Sequence, residues 1–227
     1  VNPLRRAAWH HRIALAALLA CGGCSEDAPV AQDRLLVVDG IEVSMADVEP
    51  YVAFLDSFLP EGGRKAKVLR ILDEYVLPLR FAQRAFPAQR QHALARARGL
   101  CEVATNAVEL DDQSRLLQER TRRNVSRLQP RLPVAMFLFE PLRVGSVSPP
   151  IEVPTGYIVA TAFDLFESPL MLDDYTDALQ VGFMTHDAEA WGIWLAAEKQ
   201  RVAPLVTYVH PDYREAMPPW LQLPRLP

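Results

Sequence analysis

Three groupings in this chain have residue types and spacings that chemistry uses. Cys21 and Cys24 stand as Cys-x-x-Cys, the spacing of zinc-binding and redox pairs. Asp111-Asp112 and Asp173-Asp174 are carboxylate doublets, the raw material of acid–base pairs. His92, His186 and His210 are the histidines beyond the N-terminal segment. None of these assembles into a site. The Cys pair has no second pair and no helix after it. Adjacent carboxylates on a helix point in different directions, and both doublets fall at expected helix boundaries, where capping accounts for them. Cys101 lies within a helical apolar pattern and reads as core, and His210 reads as structural or solvated. There is no His-Glu-x-x-His and no glycine-rich phosphate loop. Assignment to the hydrolases or nucleotide enzymes has no support, and no catalytic residue, metal or cofactor is expected.

Cys21 has a better use. Arg5, Arg6 and Arg12 form a basic start, and residues 13–20 (IALAALLA) a short apolar core, too short to span a bilayer. Leu18-Leu19-Ala20-Cys21 then resembles a bacterial lipobox, in which the thiol takes a diacylglycerol and becomes the first mature residue. Residues 1–20 are thus expected to be a lipoprotein signal peptide and Cys21 the lipid attachment point. An ordinary secretory signal remains the alternative. Gly22 stands where some bacteria read an Asp as inner-membrane retention, which points to the outer membrane. Residues 21–34, small and polar, form a flexible tether.

The chain has 227 residues, half of them hydrophobic, enough for one full core or a core with a small appendage. Its formal charge is −4, and loss of the three leader arginines takes it to −7. An acidic surface argues against nucleic acid as the partner.

The elements follow from turn chemistry and periodicity. Asp39-Gly40 between apolar runs predicts a hairpin. Ser44, with Asp47 three residues on, caps a helix whose buried face is Val48, Val52 and Leu55. Gly62-Gly63 breaks the chain. A second helix starts near Arg64 and must kink or end at Pro78. A third runs from Pro87 through Val108, breaks at Asp111-Asp112, and resumes over 114–128. That last part is rich in arginine, either a solvated face beside acidic neighbours or a contact for anionic lipid. Residues 157–163 alternate as a strand after Thr155-Gly156. A long helix is expected over 172–201, carrying Met184, Ala188, Trp191 and Leu195 on one stripe with Phe183 beside it. Residues 205–209 (LVTYV) form a closing strand, and 211–227 an extended proline-rich tail.

This order of parts resembles a known family. VVDGIEVS at 37–44 and KVLRILDEYVLPLRFAQRAF at 67–86 resemble the N-terminal chaperone region of the SurA and parvulin-type (PpiC-like) peptidyl-prolyl isomerases of the bacterial envelope. LRVGSVSPPIEVPTGYIVATAFD at 142–164 resembles the end of a parvulin domain, where a G-x-V-S-x-P turn precedes a strand. The closing helix and LVTYV resemble the elements that return to the hairpin in that family. The opening parvulin strand of A-x-H-I-L type is missing between Arg98 and Arg143, and so is any histidine there.

The resemblance implies an α+β fold, mainly α. A helical chaperone-like domain over 35–133 would be completed by the C-terminal helix and strand over 169–210. A small antiparallel sheet would join the N- and C-terminal strands, and 134–168 would be a degenerate parvulin-like remnant. The implied function is a lipid-anchored envelope folding factor that binds unfolded or extended polypeptides at the periplasmic face of a membrane, with isomerase activity weak or absent. An accessory lipoprotein holding one dedicated partner is the alternative, and an active isomerase a third. The candidate peptide-binding residues are Phe183, Met184 and Trp191.

Overall fold

In the computed structural model, residues 33–168 and 173–224 are described. The leader, the tether up to residue 32 and Cys21 lie outside them. The architecture is mixed α and β, with two small antiparallel sheets among the described residues.

The first sheet joins the chain ends. Strand β1 (Arg34–Val38) turns into β2 (Ile41–Ser44) through Asp39 and Gly40, at φ +50° and +72°. Positive φ at both central residues is the type I′ turn, whose twist matches that of the strands. On its other edge β1 pairs antiparallel with β7 (Val206–Val209), with Leu36 opposite Val209, in the order β2-β1-β7. The expected return of the C-terminal strand to the hairpin is therefore observed.

Asp47 accepts from both the backbone N–H and the hydroxyl of Ser44, at 2.8 and 2.9 Å, and holds a 3-10 turn at Met45–Asp47. Helix α1 (Glu49–Asp56) then buries Val52 and Leu55. Helix α2 (Arg64–Ile71) passes through a π-helical turn, Leu72–Val76, directly into α3 (Leu77–Ala85). Of the two outcomes the sequence allowed at Pro78, a kink or an end, the helix does not end. The proline ring supplies no N–H, and the turn before it widens so that Leu77 N–H reaches the Leu72 carbonyl, five residues back.

Helix α4 (Pro87–Val103) ends earlier than expected. The break falls at Asn106, whose side chain accepts from Val108 and Glu109 N–H at 3.1 and 3.0 Å and starts α5 (Ala107–Ser114). Asp111-Asp112 lies inside α5 rather than capping it.

Two expected helices are strands where it matters most. Within 114–128 the chain forms β3 (Arg120–Ser126), and within 172–201 it forms β6 (Tyr175–Met184) before α7 (Ala188–Val202). β3 is an edge strand with only Val125 buried, so its charges keep the edge from pairing with another chain and hide the apolar alternation. β6 lies between β3 and β5, and its sheet is covered on both faces: Leu179, Val181 and Phe183 alternate toward α4, and Ala178 faces α6. The stripe from Met184 to Leu195 crosses the strand–helix boundary at Asp187, whose side chain accepts from Ala190 N–H at 2.8 Å.

The second sheet has the order β3-β6-β5-β4, with β4 at Ile151–Val153 and β5 at Gly156–Ala162. Residues 134–168 thus supply only part of it, together with helix α6 (Leu132–Leu138), which covers one face. Helix α4 covers the other through Ala93, Ala97 and Leu100.

The arginines of 114–128 are largely neutralised. Arg120 and Arg122 meet Asp111, Arg122 also meets Asp177 at 2.8 Å, and Arg127 meets Asp174 at 2.7 Å. Asp174 also accepts from Ser168 N–H at 2.6 Å, so it ties a loop rather than capping a helix.

The C-terminal segment is not an extended tail. Pro211–Ala216 is a 3-10 turn, and Ala216, Met217 and Leu221 are buried in the core built by the hairpin, α1 and the α2–α3 helix. Trp220 Nε1 donates to Asp73 Oδ1 at 2.7 Å, and Lys199 meets the same oxygen at 2.5 Å.

Candidate functional site

Where the helical half meets the second sheet, one side chain joins them. Arg90 on α4 is buried and aims at the β4–β5 turn. Its Nη1 donates to the Pro154 carbonyl at 2.8 Å, and its Nη2 to Glu152 Oε1 at 2.8 Å and to the Val153 carbonyl at 3.0 Å. Gln83 of α3 donates to the other Glu152 oxygen at 3.1 Å. Tyr75, from the π-turn, donates to the Glu152 carbonyl at 3.2 Å and meets Tyr51 edge-on at 4.8 Å. Burial pushes the Tyr75 hydroxyl well up, so it stays protonated and donates at neutral pH.

Beside this junction lies an open cleft of about 280 Å³. Its floor is Tyr75, Pro78, Leu132 and Pro154, all buried. Trp191 of α7 stands half-buried on one wall, and Leu128 is open to solvent on another. Arg70, Glu74, Gln129 and Arg131 supply the polar groups. The π-turn matters because it sets Glu74 and Tyr75 toward this cleft at the point where Pro78 would otherwise disrupt the helix.

Trp191 is held at one end of an aromatic chain. Its ring lies 5.0 Å from Trp194, which meets Phe86 at 4.6 Å, and Phe86 meets His186 at 4.2 Å. Helix α7 buries only Val202 completely. It is held by Trp194, Leu195 and Val202, packed on the core of the hairpin, α1 and the α2–α3 helix, and by ion pairs: Glu198 meets Arg84 of α3, Arg201 meets Asp39 of the hairpin turn, and Lys199 meets Asp73 of the π-turn. Ile193, Ala196 and Ala197 face water.

The three residues singled out from the sequence do not come together. Phe183 is 4% exposed on β6, under the Arg96 guanidinium at 5.3 Å, and packs with α4. Met184, its neighbour on the strand, turns to the opposite face beside α6. Only Trp191 reaches the cleft. Of the cleft residues, Pro78 was legible in the sequence as a helix breaker. Nothing in their spacing placed them opposite Trp191. A cluster of prolines facing aromatic residues was the available signal.

His186 and His210 are engaged structurally. His186 Nδ1 lies 3.0 Å from the Thr185 hydroxyl, and His210 Nδ1 accepts from Asp212 N–H at 3.3 Å. Burial pushes the Cys101 thiol up, which disfavours the nucleophilic thiolate. Among the described residues no group of three or more His, Cys, Asp or Glu is placed to hold a metal, and no helix is long and apolar enough to cross a membrane. What the cleft offers is binding: Tyr75, Pro78, Leu132 and Pro154 at its floor, Trp191 and Leu128 on its walls, and an exposed lining that is polar at least as much as apolar. No protein-family model, no curated protein and no solved structure matches the chain.

Proposed function

We propose that this chain is a lipid-anchored folding factor of the bacterial envelope, akin to the SurA and parvulin-type peptidyl-prolyl isomerases, that holds extended client segments in the Tyr75–Trp191 cleft. The observation that carries this reading is the cleft itself: a floor of Tyr75, Pro78, Leu132 and Pro154 left open beneath a helix that buries only Val202 fully. A site that takes many unfolded segments needs accessible apolar surface and adaptable walls, not a reactive side chain. Isomerisation of a prolyl bond would require lowering a barrier of about 18–20 kcal/mol by gripping the ring and desolvating the amide. The parvulin opening strand and its histidines are missing from the sequence between Arg98 and Arg143, so isomerase activity is weak or absent in this reading. The N-terminal lipobox resemblance supplies the anchor, with Cys21 as attachment point and the outer membrane as destination.

The test is suppression of aggregation for several unrelated unfolded proteins, with Trp191→Ala as the control. Protection by the native chain that falls sharply in the variant, at unchanged thermal stability, is the expected result. Protection of none of the clients would overturn the general role and leave a dedicated partner. A proline-limited refolding reaction should keep its slow phase; acceleration would assign isomerase activity.

A further inference from the structure

On the reading that the cleft takes extended polypeptide, we infer that its preferred occupant carries an internal acidic side chain beside the residue that fills the apolar floor, and that Arg131 selects it. The charges around the cleft are matched except for one. Glu74 is taken by Arg70, with Nε to Oε2 at 2.9 Å. Arg127, four residues before Arg131, is paired with Asp174 and lies over the rings of Phe58 and Phe139. Arg115, Arg120 and Arg122 each meet an aspartate. Arg131 meets no acceptor and no anion among the described residues, although it lines the cleft.

Arg131 is exposed overall, yet its surroundings desolvate the guanidinium enough to hold its pKa below the ordinary value. A partly desolvated cation without a counter-charge gains more from an arriving carboxylate than one already paired or fully hydrated. A guanidinium takes a carboxylate through two parallel N–H donors, and this sets direction as well as charge. The layout fixes the order of the ligand. Tyr75, Pro78, Leu132 and Pro154 are buried and take an apolar or ring-bearing residue; Arg131 and Gln129 are exposed and take what lies next to it along the chain. A carboxylate on a side chain suits this better than a chain end, because the peptide can continue past the edge in both directions.

The experiment measures binding of short labelled peptides to the full chain in detergent micelles by fluorescence anisotropy. All peptides have amidated C-termini and one Trp-Pro anchor; they differ only in an adjacent Asp or Asn. The Asp peptide should bind about tenfold more tightly, as one charge-assisted contact implies. Arg131→Gln should erase that difference, bringing the Asp and Asn peptides to equal affinity, with thermal melting confirming the fold. Equal binding of both peptides by the native chain, with both weakened in Trp191→Ala, would overturn the selection by Arg131 while leaving the cleft as a peptide site. Retained preference in Arg131→Gln would also overturn it. Failure of either peptide to bind would remove the cleft reading and this inference together.

Discussion

Arg90 Nη1 donates to the carbonyl of Pro154 across 2.8 Å, from the first turn of α4 into the turn between β4 and β5. Sixty-four positions of sequence separate the two residues. The contact ties the helical half of the molecule to the sheet, and it also fixes one element of the cleft floor, because Pro154 is part of both.

Arg90→Met should therefore be strongly destabilising. It removes the donors to the Val153 and Pro154 carbonyls and leaves Glu152 without its buried partner, where the arginine side chain is 4% exposed. Breaking a buried ion pair by removing one member costs about 3–5 kcal/mol. Urea unfolding should show a lower midpoint of that size at unchanged slope. A midpoint shift under about 1 kcal/mol would mean that water replaces the arginine without penalty.

Gly156 carries a different requirement. It sits at φ +147°, and a Cβ there would lie 2.2 Å from the Phe183 carbonyl oxygen on β6. The contact is with backbone, so no side chain can move aside. Gly156→Ala should cost about 3 kcal/mol or more, and should disturb the register that sets Gly156 opposite Met184. Thermal melting followed by circular dichroism measures this; a melting point within a degree or two of the native chain would refute the close approach.

The clasp on α7 should respond to acid. A hydrogen bond from Arg201, first, holds the Asp39 carboxyl below its usual range, with Arg84 adding to it and burial opposing; Arg201 does the same for Glu198. Folded values lie below unfolded ones, so this stabilisation is present above the unfolded carboxylate range of about 4 and is lost as the pH falls through the lower folded values. Stability should decline below about pH 4, and Asp39→Asn should flatten that decline. Asparagine tolerates the positive φ at position 39, so the hairpin turn survives the substitution. An unchanged acid profile in the variant would show that the clasp contributes nothing there.

The anchor is tested separately. Cys21→Ser should release the chain from the membrane to the soluble fraction in the native host. Continued membrane retention would count against lipid attachment at that residue.

Local chemistry made much of this legible from the sequence. Asp39-Gly40 determined a hairpin because only that turn wants two positive φ values between strands. The buried Val48-Val52-Leu55 face and the strand after Gly156 state their conformation within a few residues and are observed, whereas Ser44 with Asp47 closes a 3-10 turn ahead of α1 instead of capping that helix. The sheet positions of β3 and β6 were not stated locally. An edge strand shows arginines instead of alternation, and in β6 the alternation of Leu179, Val181 and Phe183 runs on within a few residues into the apolar stripe of α7, so both passed for helix. The cleft was hidden for the same reason. Tyr75, Arg131, Pro154 and Trp191 are far apart in the chain, and their meeting depends on β6 forming a strand and on Arg90 drawing the β4–β5 turn onto α4. Periodicity reports what a residue does to its own turn or strand; which surfaces face one another is decided by packing between elements, and that only the tertiary structure supplies.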